Sequence, residues 1–94
     1  TDPESAYRYA GDIIKGRFPE GEPYIMKDPE WAFYYALYII DGRWLEAEQY
    51  IMTDPKYAYR YAQHVIKSKW SEAEPFIMKD LHWWTQYKDD IIKG

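Results

Sequence analysis

The chain has 94 residues, 47% hydrophobic and 20% aromatic, with a formal net charge of −4 and no cysteine. That length allows one domain with one modest core. The acidic balance speaks against a phosphate-binding surface for nucleic acid, and no apolar run approaches the roughly 18 residues of a membrane span. Without cysteine there are no disulfides or thiolate metal sites, which fits a reducing compartment and a cytoplasmic location.

The first predicted helix opens at Asp2-Pro3-Glu4. An aspartate can accept from free backbone N–H groups at a helix start, and proline in the first turn lacks a hydrogen that would be orphaned there anyway. Ala6, Tyr9, Ala10, Ile13 and Ile14 then follow at three- and four-residue spacing and predict one apolar stripe. Gly16 is expected to end this helix in the left-handed conformation that glycine tolerates best. A short second helix is predicted over roughly residues 19–27, with Pro23 near its first turn. Glu20 and Glu22 fall at the positive end of its dipole, with Arg17 in reach of them. Phe18 enters just before this helix, and Tyr24 and Ile25 are expected on its buried face.

The same signals recur 26 residues later, and again after that. Asp2, Asp28, Asp54 and Asp80 keep one register. So do Tyr9, Tyr35, Tyr61 and Tyr87; Ile14, Ile40, Ile66 and Ile92; Glu22, Glu48 and Glu74; and Met26, Met52 and Met78. Gly42 and Gly94 repeat the Gly16 stop, Ser68 stands in the third slot, and Arg43 and Lys69 repeat Arg17. Ordering one such unit costs more than its own apolar side chains return, so neighbours must cover both flanks. The expected architecture is an all-α, right-handed α-solenoid of about three and a half repeats and about seven helices. It forms a single domain over residues 1–94, with units 2–27, 28–53 and 54–79 and a C-terminal capping helix 80–94. In that last helix Leu81 replaces proline, and Trp84 and Lys88 replace the recurring alanines, as suits the end of an array. Thr1 falls within the register, which suggests a piece of a longer protein.

Residues 42–48 (Gly-Arg-Trp-Leu-Glu-Ala-Glu) and 68–74 (Ser-Lys-Trp-Ser-Glu-Ala-Glu) resemble the helix-to-helix turn of tetratricopeptide repeats. Those repeats run to 34 residues, so the second helix here is clipped. The whole chain also resembles a short tandem repeat of the type Asp-Pro-x-x-Ala-Tyr-x-Tyr-Ala…Gly-Arg-Trp-x-Glu-Ala-Glu-Pro-Tyr-Ile-Met-Lys, found in uncharacterised bacteriophage and bacterial proteins. The resemblance implies a helical array and such a source, and it implies no activity.

Signals of chemistry are sparse. His64 and His82 occupy unrelated register positions and lack a second ligand at metal spacing. The glutamate pair at 20 and 22 recurs in every full unit, which argues for a structural cause over a single acid–base site. No catalytic, cofactor or metal site is expected. The units differ most on the face opposite the apolar stripe. Glu4, Arg8, Gly11, Asp12 and Lys15 occupy it in the first unit, and Lys56, Arg60, Gln63, His64 and Lys67 in the third. The middle unit places Tyr34, Leu37 and Tyr38 there, with Trp31 at the edge. With first helices side by side, Tyr34 falls between Arg8 and Arg60, and Tyr38 between Asp12 and His64. An apolar centre inside a charged rim is the pattern of a protein-binding surface. The expectation is therefore a non-enzymatic interaction module that takes a protein or peptide partner on Trp31, Tyr34, Leu37 and Tyr38, rimmed by Arg8, Arg60 and His64. The alternatives are a homodimer formed through this ridge, or a structural spacer of a larger phage or bacterial protein. Nucleic acid and membrane are not expected as partners.

Overall fold

A computed structural model describes residues 2–93. Among them the chain is helical without strands, in seven helices that pack against their neighbours as a solenoid. Each first helix begins on the predicted aspartate. Asp2 accepts from the Ser5 N–H, Asp28 from Glu30 and Trp31, Asp54 from Lys56 and Tyr57, and Asp80 from Trp83. Such a cap contributes about 1 kcal/mol. The helices α1 (Pro3–Tyr9), α3 (Pro29–Tyr34), α5 (Pro55–Tyr61) and α7 (Leu81–Tyr87) each run on into a π-helical turn. Those turns span Ala10–Ile14, Tyr35–Ile40, Ala62–Ile66 and Lys88–Ile92.

The stop falls one residue earlier than the glycines suggest. Lys15, Asp41 and Lys67 take the left-handed conformation at φ of 59°, 59° and 63°, and no described glycine has positive φ. The Ala10 carbonyl accepts from both Lys15 N–H and Gly16 N–H, at 2.7 and 3.2 Å, and bringing two successive donors to one carbonyl puts the reversal on residue 15. The Ala36 carbonyl does the same for Asp41 and Gly42. Gly94 lies outside the described residues.

The second helices differ in length with their prolines. Helix α2 (Glu22–Ile25) is one turn long, behind Pro19 and around Pro23. Helix α4 (Leu45–Ile51) is longer because Leu45 and Gln49 replace those prolines and restore backbone donors. The third is a 3₁₀ turn (Ser71–Ala73) leading into α6 (Glu74–Ile77).

The four first helices lie side by side, each second helix wedged between its own first helix and the next. Helices spaced about 8–10 Å apart account for the 40 Å long axis of the molecule, which is 21 by 18 Å across. Alanine at 6, 32 and 58 and at 10, 36 and 62 lets the second helices close in, and Ile25, Ile51 and Ile77 are fully buried beneath them. Tyr24, by contrast, is exposed, and Tyr50 and Phe76 are only half covered.

Each seam is locked by one tyrosine hydroxyl. Tyr35 donates to Glu22 Oε2 and accepts from the Phe18 N–H of the preceding unit, both at 2.7 Å. Tyr61 does the same with Glu48 and Trp44, and Tyr87 with Glu74 and Trp70. Arg17 and Arg43 each hold their glutamate in a two-pronged ion pair. Glu22 and Glu48 are thus the working members of the acidic pairs, while Glu20 and Glu46 stay in solvent. Lys69 forms no ion pair with Glu72 or Glu74 among the described residues. Burial works to raise the Glu22 carboxyl, but hydrogen bonds from Arg17 and Tyr35 outweigh it and hold it below the usual carboxylate range. Burial, with the carboxylate alongside, pushes the Tyr35 and Tyr87 phenols up to about 12 and Tyr61 higher still.

Candidate interaction surface

The residues proposed as a binding set converge on the middle of the first-helix face, but less openly than a simple helical wheel suggests. Tyr38 stands out at 66% exposed, whereas Tyr34, Leu37 and Trp31 are half-buried. The cause is aromatic crowding. Tyr34 is in ring contact with Tyr7, Trp31, Phe33, Tyr38 and Tyr57, at centroid distances of 5.2 to 6.5 Å. Tyr38 stacks on it nearly parallel, at 6.3 Å and 13°. A half-buried platform therefore holds up one exposed ring.

Tyr38 is also the crest between two grooves. One, of about 440 Å³, runs between α1 and α3 and is walled by Tyr7, Arg8, Asp12, Lys15, Tyr38 and Ile39. The other, of about 540 Å³, runs between α3 and α5 and is walled by Tyr34, Leu37, Tyr38, Arg60, His64 and Trp83, among others. Arg8 and Asp12 thus lie on one side of Tyr38, and Arg60 and His64 on the other. Arg8 pairs with Glu4 at 2.8 Å. The Arg60 guanidinium lies over the Tyr57 ring at 5.8 Å, and His64 faces Phe33 at 6.3 Å. His82 does not line either groove, and its ring lies edge-on to Trp83 at 4.5 Å.

The platform is pinned by two further tyrosines. Tyr57 donates to Glu30 at 3.2 Å, and Tyr59 donates to Asp90. Burial and the carboxylate partner push both phenols up to about 12. These cross-helix links join residues 27 and 31 apart, so no local signal marked them in the sequence.

Among the described residues, no three His, Asp or Glu side chains gather closely enough to hold a metal ion, and no helix is long and apolar enough to cross a membrane. The chain matches no known protein family, no curated protein and no solved structure.

Proposed function

We propose that the chain is a helical-repeat interaction module, without enzymatic activity, that takes a peptide segment of another protein across Tyr38. The observation that carries this reading is the exposed Tyr38 ring on a rigid aromatic platform, with a groove on each side. A large ring that is already held in place loses little freedom on binding, which is the property of an anchor residue. Arg8, Asp12 and Lys15 line one groove, with Arg8 paired to Glu4, and Arg60 and His64 line the other without an acidic residue, so the partner chemistry that fits is an apolar residue with a carboxylate on the Arg60 side. The resemblance to tetratricopeptide repeats supports the same reading by analogy of form.

The test is selection from a displayed library of random 12-residue peptides. Enrichment of apolar residues flanked by Asp or Glu, with binding lost in Tyr38→Ala and weakened by salt, is the expected result. Binders that hold Tyr38→Ala equally well would remove this surface as the site. A second reading, a self-associating scaffold segment of a larger phage or bacterial protein, draws on the same exposed ring. Light scattering of the wild type against Tyr38→Lys separates the two, because only self-association makes the wild type a Tyr38-dependent dimer.

A further inference from the structure

Three of the four arginines in the chain are paired. Arg8 holds Glu4, Arg17 holds Glu22 and Arg43 holds Glu48, at 2.7 to 2.9 Å. Arg60 meets no carboxylate among the described residues. Glu30 and Asp90 reach α5 from its two sides, but they accept from the Tyr57 and Tyr59 hydroxyls. Arg60 instead lines the groove between α3 and α5, together with Gln63 and His64 three and four residues on. That spacing sets three polar side chains along one wall. Among the described residues no aspartate or glutamate lines this groove, whereas Asp12 lines the groove on the other side of Tyr38. The facing wall is aromatic, with Phe33, Tyr34, Tyr38 and Trp83.

We propose that this groove is a phosphotyrosine site, which takes a phosphorylated tyrosine of the peptide partner with its ring against the aromatic wall and its phosphate on Arg60, Gln63 and His64. The inference rests on the reading of this face as a peptide-binding surface and adds the residue it selects. A guanidinium without a carboxylate, with two more polar side chains beside it, matches an acceptor of three oxygens and nearly two negative charges. The single charge and two oxygens of an aspartate or glutamate are satisfied by Arg60 alone. The aromatic wall asks for a flat apolar group next to the anion, and in phosphotyrosine one side chain is both. Phosphoserine carries the same anion but leaves the rings uncovered. At about 540 Å³ the groove falls in the range of small-ligand sites, roughly 300–1,000 Å³.

The probe is an end-blocked nine-residue peptide of alanine and serine with phosphotyrosine at its centre, titrated into the 94-residue chain and followed by NMR shifts. Its controls carry tyrosine, phosphoserine or glutamate at the centre. Saturable one-to-one binding is expected, about tenfold or more tighter than for any control. Arg60→Gln should weaken the phosphopeptide about tenfold, and Arg60→Lys should bind it little better, because the planar fork is lost. Lys15→Ala, in the other groove, should leave binding unchanged. Circular dichroism checks the fold of each variant. His64→Ala removes an exposed side chain and should weaken binding about threefold, so it serves where Arg60→Gln disturbs the helix. Equal binding of the tyrosine or phosphoserine peptide overturns the proposal. So does binding that Arg60→Gln and His64→Ala both leave untouched, or no saturation at millimolar phosphopeptide. A displayed library contains no phosphotyrosine, so Tyr38-dependent binders drawn from it would uphold the peptide surface even where the phosphopeptide fails.

Discussion

At the α7 flank, Trp84 stacks on Tyr87 at 5.5 Å and 16°, with the Lys88 ammonium 5.7 Å above its ring. The aromatic that elsewhere comes from the entry to a second helix, as Phe18, Trp44 and Trp70 do for Tyr9, Tyr35 and Tyr61, is supplied here by the first helix itself. Thr85 stands where Tyr7, Phe33 and Tyr59 reach toward the next helix. At the α1 flank the opposite holds, with small residues kept at Ala6 and Ala10 and, among the described residues, no partner for the Tyr9 hydroxyl. The comparison separates two ways of treating a solenoid face. One flank is covered by large side chains of its own helix, and the other keeps small residues beside a half-exposed tyrosine.

The largest effect expected is loss of the fold in alkali. The phenols of Tyr35, Tyr57, Tyr59 and Tyr87 are raised from 10 to about 12. The folded state thus prefers them neutral, so their contribution is complete below pH 10 and falls away as pH rises through 12. Helical circular dichroism and the tyrosinate absorbance at about 295 nm should change together across that window. Ionisation of these rings without loss of helix would contradict the clamp.

Removing the self-made cover comes next. Trp84→Ala should cost about 1.5–2 kcal/mol, since a half-buried aromatic and its stack on Tyr87 are both lost. Thermal unfolding measures it, and a neutral result would mean that Trp84 covers nothing of consequence. Smaller and opposite in sign is Asp41→Gly, which relieves a left-handed non-glycine residue and should stabilise by up to about 1 kcal/mol. Gly42→Ala belongs at the bottom of the scale, within about 0.5 kcal/mol of neutral. A Cβ there meets nothing within 4 Å and φ is not positive. If Gly42→Ala were the damaging one of the two, the position of the helix stop would be wrong.

The register of Asp, Pro, Tyr and Glu was legible because caps and period are local signals, and the side-by-side order of the first helices followed from it. The role of the tyrosine series was not. Tyr35 finds Glu22 thirteen residues back and the Phe18 N–H seventeen back, so the sequence offered the recurring glutamates only the helix dipole and the nearby Arg or Lys as partners. On the candidate surface the wheel sets Tyr34, Leu37 and Tyr38 together opposite the apolar stripe, yet Tyr38 is exposed while Tyr34 and Leu37 are half-buried. Tyr34 is covered by large rings from α1 and α5, which a wheel of one helix does not contain. Leu37 lies in the π-helical turn, where each residue advances by less than the 100° assumed. Tyr9, Ile13 and Ile14 are exposed although their register partners in the second and third units are buried or half-buried, and register alone does not give that difference.

The central claim is that one hydroxyl locks each of the three seams, while Tyr9 makes no such bond among the described residues. Denaturant unfolding of the four matched variants Tyr9→Phe, Tyr35→Phe, Tyr61→Phe and Tyr87→Phe tests it. Each of the last three should lose about 2–3 kcal/mol, because a backbone N–H is left without its acceptor and a half-buried or buried glutamate loses its phenol donor, and Tyr9→Phe should lose less than about 0.5 kcal/mol. Four equal losses, or none, would contradict the account.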